Sequence, residues 1–139
     1  MPQFDQRYTD LSSRGPDVFL TIARPKSLKP FQEGCEDRIT DVRCLIDTGA
    51  TYCALRLSLA GRLGLQEFNL KEIVNSTGKE WCPIYLVELG TSDGEWSGEY
   101  EVAGCNFGGQ DLEFVLGRNF LEHAQFTYNG PLSSYSLKF

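Results

Sequence analysis

The sequence predicts an all-β chain with little helix, and three observations carry that prediction. Apolar residues recur with period two through several short segments, the signature of strands with one buried face. Clusters of Gly, Pro, Asn, Asp and Ser separate those segments and supply turn geometries. Nowhere do strands alternate with the long amphipathic helices that a parallel sheet needs as crossovers. At 139 residues the chain is one domain's worth, long enough to bury a core and too short for two lobes.

Residues 1–14 hold few apolar side chains and read as a flexible N-terminal arm, leaving 15–139 as the folded domain. Val18, Leu20 and Ile22 alternate with Phe19, Thr21 and Ala23 in a strand that Pro25 stops. After a loop rich in Pro, Lys, Glu and Gly, residues 39–46 return as a strand that runs into Asp47-Thr48-Gly49. Leu55, Leu59 and Leu63 fall four apart, so residues 56–63 fit a short amphipathic helix ended by Gly64. Residues 70–75 and 80–90 form a hairpin joined by Ser76-Thr77-Gly78-Lys79. Its second strand is apolar on nearly both faces through Trp81, Cys82, Ile84, Tyr85, Val87 and Leu89, which places it centrally. Residues 99–103 and 112–116 add strands, and a short helix follows Gly117. A turn at Asn129-Gly130-Pro131 precedes a last strand in which Tyr135, Leu137 and Phe139 alternate. That strand needs a neighbour, in its own sheet or in a second subunit.

Composition excludes several functions. A net charge of −6 with scattered Lys and Arg repels nucleic acid. No run is apolar enough to span a membrane, and the polar start lacks a secretory signal, so the expectation is a soluble cytoplasmic protein. Five cysteines, an odd number without Cys-x-x-Cys spacing, read as free thiols in a reducing compartment. The one histidine, His123, has no ligand spacing around it, so neither a metal nor a Cys-His pair is expected. No cofactor is implied. Gly-x-Ser-x-Gly is absent, and an Asp-nucleophile phosphohydrolase would need strand-helix units and a lysine beside Asp47 that the chain lacks.

Asp47 is the candidate for chemistry. Cys44-Leu45-Ile46 leads into it as a strand leaving a core, and Gly49 allows a close backbone approach. Alone, Asp-Thr-Gly also fits a turn in which the carboxylate bonds its own backbone. Further along, Phe114-Val115-Leu116-Gly117-Arg118-Asn119-Phe120-Leu121 is a second apolar run broken by glycine. This pair of motifs, in this order, resembles the retropepsin family of aspartic proteases. The ending Phe126-Thr127-Tyr128-Asn129-Gly130-Pro131 with Ser136-Leu137-Lys138-Phe139 resembles its bacterial single-domain members.

The resemblance implies a closed or partly open acid-protease-type β-barrel with one short C-terminal helix and, as an option, one helix after the catalytic loop. It implies a homodimeric aspartic endopeptidase acting on a peptide or protein substrate, because this chain has one Asp-Thr-Gly and the chemistry needs two carboxylates. Asp47, Thr48 and Gly49 would form the catalytic loop, with Thr48 bonding across the dimer axis. Ala50 would line a pocket, while Ser76, Thr77 and Gly78 would close over the substrate as a flap. Leu116, Gly117 and Arg118 would brace the loop from behind. One position departs from the retroviral pattern: Thr51 stands where an acid pairs with the arginine, and Asp41 or Glu122 are the candidate replacements. The alternative function is a retropepsin-fold module that binds peptides or partners with little or no turnover.

Overall fold

The computed structural model describes residues 1–75 and 78–139. In chain order the elements are β1 (Gln3–Arg7), α1 (Leu11–Arg14), β2 (Asp17–Ala23), β3 (Arg38–Ile46), β4 (Cys53–Arg56), α2 (Leu57–Arg62), β5 (Asn69–Asn75), β6 (Gly78–Gly90), β7 (Ser97–Cys105), β8 (Phe114–Leu116), α3 (Arg118–Leu121), β9 (Gln125–Asn129) and β10 (Ser134–Lys138). Strand pairing runs β2-β3-β8-β4-β7-β6, and β6 pairs back onto β2, closing a barrel of six strands. The all-β barrel expected from the sequence is therefore present, with α2 after the Asp47 loop and α3 after Gly117. β5 pairs with β6 outside the ring and forms with it a projecting hairpin whose last paired residues are Asn75 and Gly78. Ser76 and Thr77, assigned to the tip of that hairpin, lie outside the described residues.

The barrel is filled by the apolar alternation read from the sequence. Leu20, Ile22, Val42, Leu55, Leu89, Val102, Phe114 and Leu116 are buried in one cluster. On β6 the buried positions are Cys82 and Ile84, then Val87 and Leu89, so the inward face changes phase midway. The outer pair packs with Ala103, Ile73 and Cys105 in a small second core under the hairpin, and the inner pair joins the barrel core. β4 escaped the sequence reading because four residues are too few to show a period.

One expectation is corrected, and one that was open is decided. Residues 1–14 are not a loose arm: β1 pairs antiparallel with β10, and Leu11 is 1% exposed. Few apolar residues suffice there because backbone pairing supplies most of the attachment. The last strand, β10, is not an open edge awaiting a subunit, since it lies between β1 and β9 in a three-stranded sheet of its own chain. Phe139 at its end packs on Trp96, Phe120 and Phe4, with ring centroids 4.7, 5.1 and 5.8 Å away.

A buried ion joins this sheet to the barrel. The Asp17 side chain is 1% exposed and accepts from Arg43 Nε at 2.6 Å, the Tyr8 hydroxyl at 2.9 Å and Arg14 Nη2 at 3.3 Å. The Tyr135 hydroxyl accepts from the Asp17 N–H at 3.0 Å and lies 3.1 Å from its Oδ1. Burial by itself would raise the Asp17 carboxyl, but the hydrogen bonds from Arg43, Tyr8 and Tyr135 outweigh it and hold it below 3.8. Burial pushes the Tyr135 phenol up, which keeps its proton available as a donor.

Because the folded value is depressed, this contribution to stability is full above the ordinary carboxylate range and disappears as pH falls through the lowered value. Asp17→Ala, which strands Arg43 and both phenols, is expected to lower urea-unfolding stability at neutral pH by about 3 kcal/mol. It should also flatten the acid limb of the stability curve, and an unchanged acid limb would disprove the assignment.

Candidate active site

The loop between β3 and β4 is wrapped around the end of β8. β3 runs parallel to β8, with Ile46 opposite Leu116, and β4 runs antiparallel to it, with Ala54 opposite Val115. A strand flanked on both sides in this way forces the connecting residues, 47–52, to cross its C-terminal end. The Asp47 N–H donates to Leu116 O at 3.0 Å, the Arg118 N–H to Ala50 O at 2.8 Å, and the Asn119 N–H to Thr51 O at 3.2 Å. The loop is therefore pinned by backbone bonds along its length, independent of side-chain rotamers.

Gly117 is where the two motifs meet. A Cβ at this position would sit 2.4 Å from the carbonyl carbon and oxygen of Tyr52 and 2.8 Å from Cys53 N. Its φ of −93° is ordinary, so glycine is required here by space and not by backbone conformation. The Gly117 N–H points at Cys53 Sγ, 3.4 Å away. Burial pushes that thiol up to about 12, so it stays protonated and uncharged beneath the loop.

Side chains complete the brace. Asn119 accepts from the Cys53 N–H through Oδ1 at 2.8 Å and donates through Nδ2 to Glu101 O at 2.8 Å, tying the loop's exit to β7. Arg118 donates from Nη1 to Thr48 O at 2.9 Å and from Nη2 to Thr51 Oγ1 at 3.1 Å. The replacement acids considered for Arg118 are not used: neither Asp41 nor Glu122 pairs with it, and Thr51 itself is the partner. A hydroxyl and a carbonyl satisfy the guanidinium without a counter-charge, at the cost of a weaker bond than a carboxylate would make.

Asp47 itself is half-buried at the rim. Its Oδ1 accepts from the Gly49 N–H at 2.9 Å, and Ala50 N–H donates to its carbonyl at 3.2 Å. The self-bonded turn considered from the sequence is thus present, and it orients the carboxylate by fixing one oxygen. Among the described residues the other oxygen has no partner and no cation is in ion-pair range. Thr48 and Gly49 are exposed, and Ala50 is half-buried. Beside them an open cleft of about 670 Å³ is lined by Thr48, Thr51, Tyr52, Arg118, Leu121 and Phe126.

The β5–β6 hairpin reaches this loop at its base. Lys71 Nζ lies 4.9 Å from the centre of the Tyr52 ring and 3.8 Å from a Glu101 carboxylate oxygen. Gly78 is exposed with φ of +129°, a conformation that side chains rarely adopt. His123 is exposed beside Glu122 at 3.3 Å and touches none of the loop contacts described above.

Solved structures share this architecture. A retropepsin-like aspartic protease from Rickettsia conorii superposes with a TM-score of 0.61 over 99% of this chain and 91% of that one, at 14% identity. EIAV protease in complex with an inhibitor superposes with a TM-score of 0.54, covering 84% of this chain and 91% of that one, at 16% identity. The chain has a retropepsin-like fold. No family model matches the sequence, and no curated protein does either. In this retropepsin-like fold, Asp47, Thr48, Gly49, Ala50, Leu116, Gly117 and Arg118 come together as one unit, while Gly78 stands on the hairpin. Three contributors went unassigned in the sequence: Asn119, Cys53 and Tyr52. Asn119 had a readable signal, an amide directly after Gly117-Arg118, where one side chain can both donate and accept.

Gly117→Ala is expected to lower stability by about 3 kcal/mol in denaturant melts, because backbone atoms, not a rotamer, must give way. Gly49→Ala adds a methyl that meets only the Asp47 Oδ1 at 3.2 Å, and should cost less than about 1 kcal/mol. Equal effects of the two would contradict this account of the brace.

Proposed function

We propose that the chain is a homodimeric aspartic endopeptidase in which a water is activated between two Asp47 carboxylates, one from each subunit. The observation that carries this reading is the state of Asp47: one oxygen fixed by Gly49, the other without a partner among the described residues at a half-buried position, on a loop braced by backbone bonds. A lone carboxylate so placed is half of a general acid and base pair. Two carboxylates about 3 Å apart share one proton because both cannot ionise together. The ionised member takes a proton from water as its oxygen attacks the peptide carbonyl. The protonated member delivers its proton, so that the C–N bond breaks to give an acid and an amine.

The remaining residues take supporting roles. The Thr48 hydroxyl is exposed and without a partner among the described residues, which suits a bond to the second subunit's loop. Gly49 accepts the substrate backbone, Ala50 lines a pocket for a substrate side chain, and the peptide binds as an added strand that Ser76, Thr77 and Gly78 close over. Leu116, Gly117 and Arg118 hold the loop against recoil. The five cysteines are all free, which favours a reducing, cytoplasmic setting. No helix among the described residues is long and apolar enough to cross a membrane. A second reading, a peptide-binding module with little turnover, is favoured by the outward, exposed Leu70, Val74 and Trp81 of the hairpin.

Cleavage of a mixed peptide library, followed from roughly pH 4 to 7, separates the two readings. Asp47→Asn should lower turnover by about a thousandfold or more while leaving the melting temperature unchanged. Full activity in that variant would remove the peptidase assignment, and peptide binding without cleavage by the native chain would establish the module.

A further inference from the structure

Two of the five free thiols meet under the β5–β6 hairpin. The last β6–β7 pair sets Ile84 opposite Ala103, and continuing that register past Pro83 and Gly104 sets Cys82 opposite Cys105. The strands stay close at this step, since a Cβ on Gly104 would lie 3.3 Å from Pro83 Cγ. Both cysteines pack in the small core that Ile84 and Ala103 form. Opposed residues of antiparallel strands have Cα atoms about 4.5–5.5 Å apart, within the span of about 4.4–6.8 Å that a disulfide bridges. Cys82 belongs to the projecting hairpin, where it faces Lys71, whereas Cys105 is paired with Arg56 of β4 on the barrel wall.

We propose that Cys82 and Cys105 form a reversible oxidation site, at which a hydroperoxide closes a disulfide that ties the hairpin to the barrel. Cys105 is half-buried and Cys82 is 1% exposed, so the peroxide meets Cys105 first. Burial raises both thiols, Cys82 to about 12, where Glu80 adds to it. At Cys105 the Phe107 N–H and Arg56 offset part of the rise. The Cys105 thiolate sulfur attacks one oxygen of hydrogen peroxide and the O–O bond breaks. A sulfenic acid forms, and the departing hydroxide leaves as water with the proton that the thiol lost. The Cys82 thiol donates to a Glu80 carboxylate oxygen at 3.3 Å. As the Cys82 sulfur attacks the sulfenic sulfur, Glu80 takes this proton and passes it to the second departing hydroxide. Two thiols and one peroxide thus give one disulfide and two waters. Thiol exchange reopens the bond in a reducing compartment. Asp47 takes no part in any step, so the site stands apart from the peptidase reading.

Peptide mapping of the native chain after hydrogen peroxide, with free thiols alkylated and no reductant present, tests the site. The Cys82 and Cys105 segments should emerge joined by a disulfide within one chain, and dithiothreitol should release them. Amide hydrogen exchange then reads the consequence. In the oxidised chain the amides of residues 71–74 and 79–82 should exchange about tenfold more slowly, with those of β2 and β3 unchanged. Cys105→Ser, at the half-buried partner, should abolish both the linkage and the slowing, whereas Cys35→Ser should leave both intact. Three results would overturn the proposal: Cys105 oxidised to sulfinic acid without linkage, a bridge from either thiol to Cys35 or to another chain, or a linked chain whose hairpin exchanges as before.

Discussion

The contact on which the site depends is the approach of Gly117 to the backbone of Tyr52 and Cys53, close enough that no side chain fits between them. It lets β8 end directly beneath the loop that carries Asp47, so that Leu116, Arg118 and Asn119 bond residues 47, 50 and 51 through the main chain. Backbone bonds have no rotamers to lose, and a carboxylate held by them returns to one position after each fluctuation. This is the preorganisation that the proposed proton transfer to and from water requires. The Asx bond from Gly49 then fixes which oxygen is occupied and which is offered.

The dense packing beneath the loop contrasts with that under the β5–β6 hairpin. Among the described residues the hairpin of β5 and β6 rests on a small core of Cys82, Ile84 and Ala103, with Ile73 and Cys105 against it, while the barrel core is several times larger. Little apolar burial means a low free energy for local opening. The Lys71 contact with the Tyr52 ring links that hairpin to the loop's exit by an interaction worth about 1 kcal/mol or less. The hairpin therefore opens locally at lower cost than the barrel. Elsewhere in the barrel, Asp17 anchors Tyr8, Arg14, Arg43 and Tyr135, so the chain's first and last strands cannot separate from the barrel without exposing a buried charge's partners.

Much of the barrel was legible because alternation records burial: Val18, Leu20 and Ile22, or Tyr135 and Leu137, show one wet and one dry face. Asp47 and Gly117 were legible as a pair because each needs a specific residue type for a local physical reason. What the sequence concealed was partnership. Residues 1–14 looked loose since their order comes from β10, a strand more than a hundred positions away. Thr51 looked like a defect beside Arg118, yet a hydroxyl with one carbonyl suffices when the guanidinium stays half in water. Asp17 gave no signal at all, because a buried carboxylate is revealed only when its cations and phenols converge from four segments.

The central claim is that each polypeptide holds half an active centre, completed by symmetry. Mixing the native chain with Asp47→Asn at fixed total concentration, after subunits have exchanged, measures that directly. If both carboxylates are needed, cleavage falls with the square of the native fraction, since every mixed dimer is silent. A fall in simple proportion to the native fraction would show that each chain acts alone.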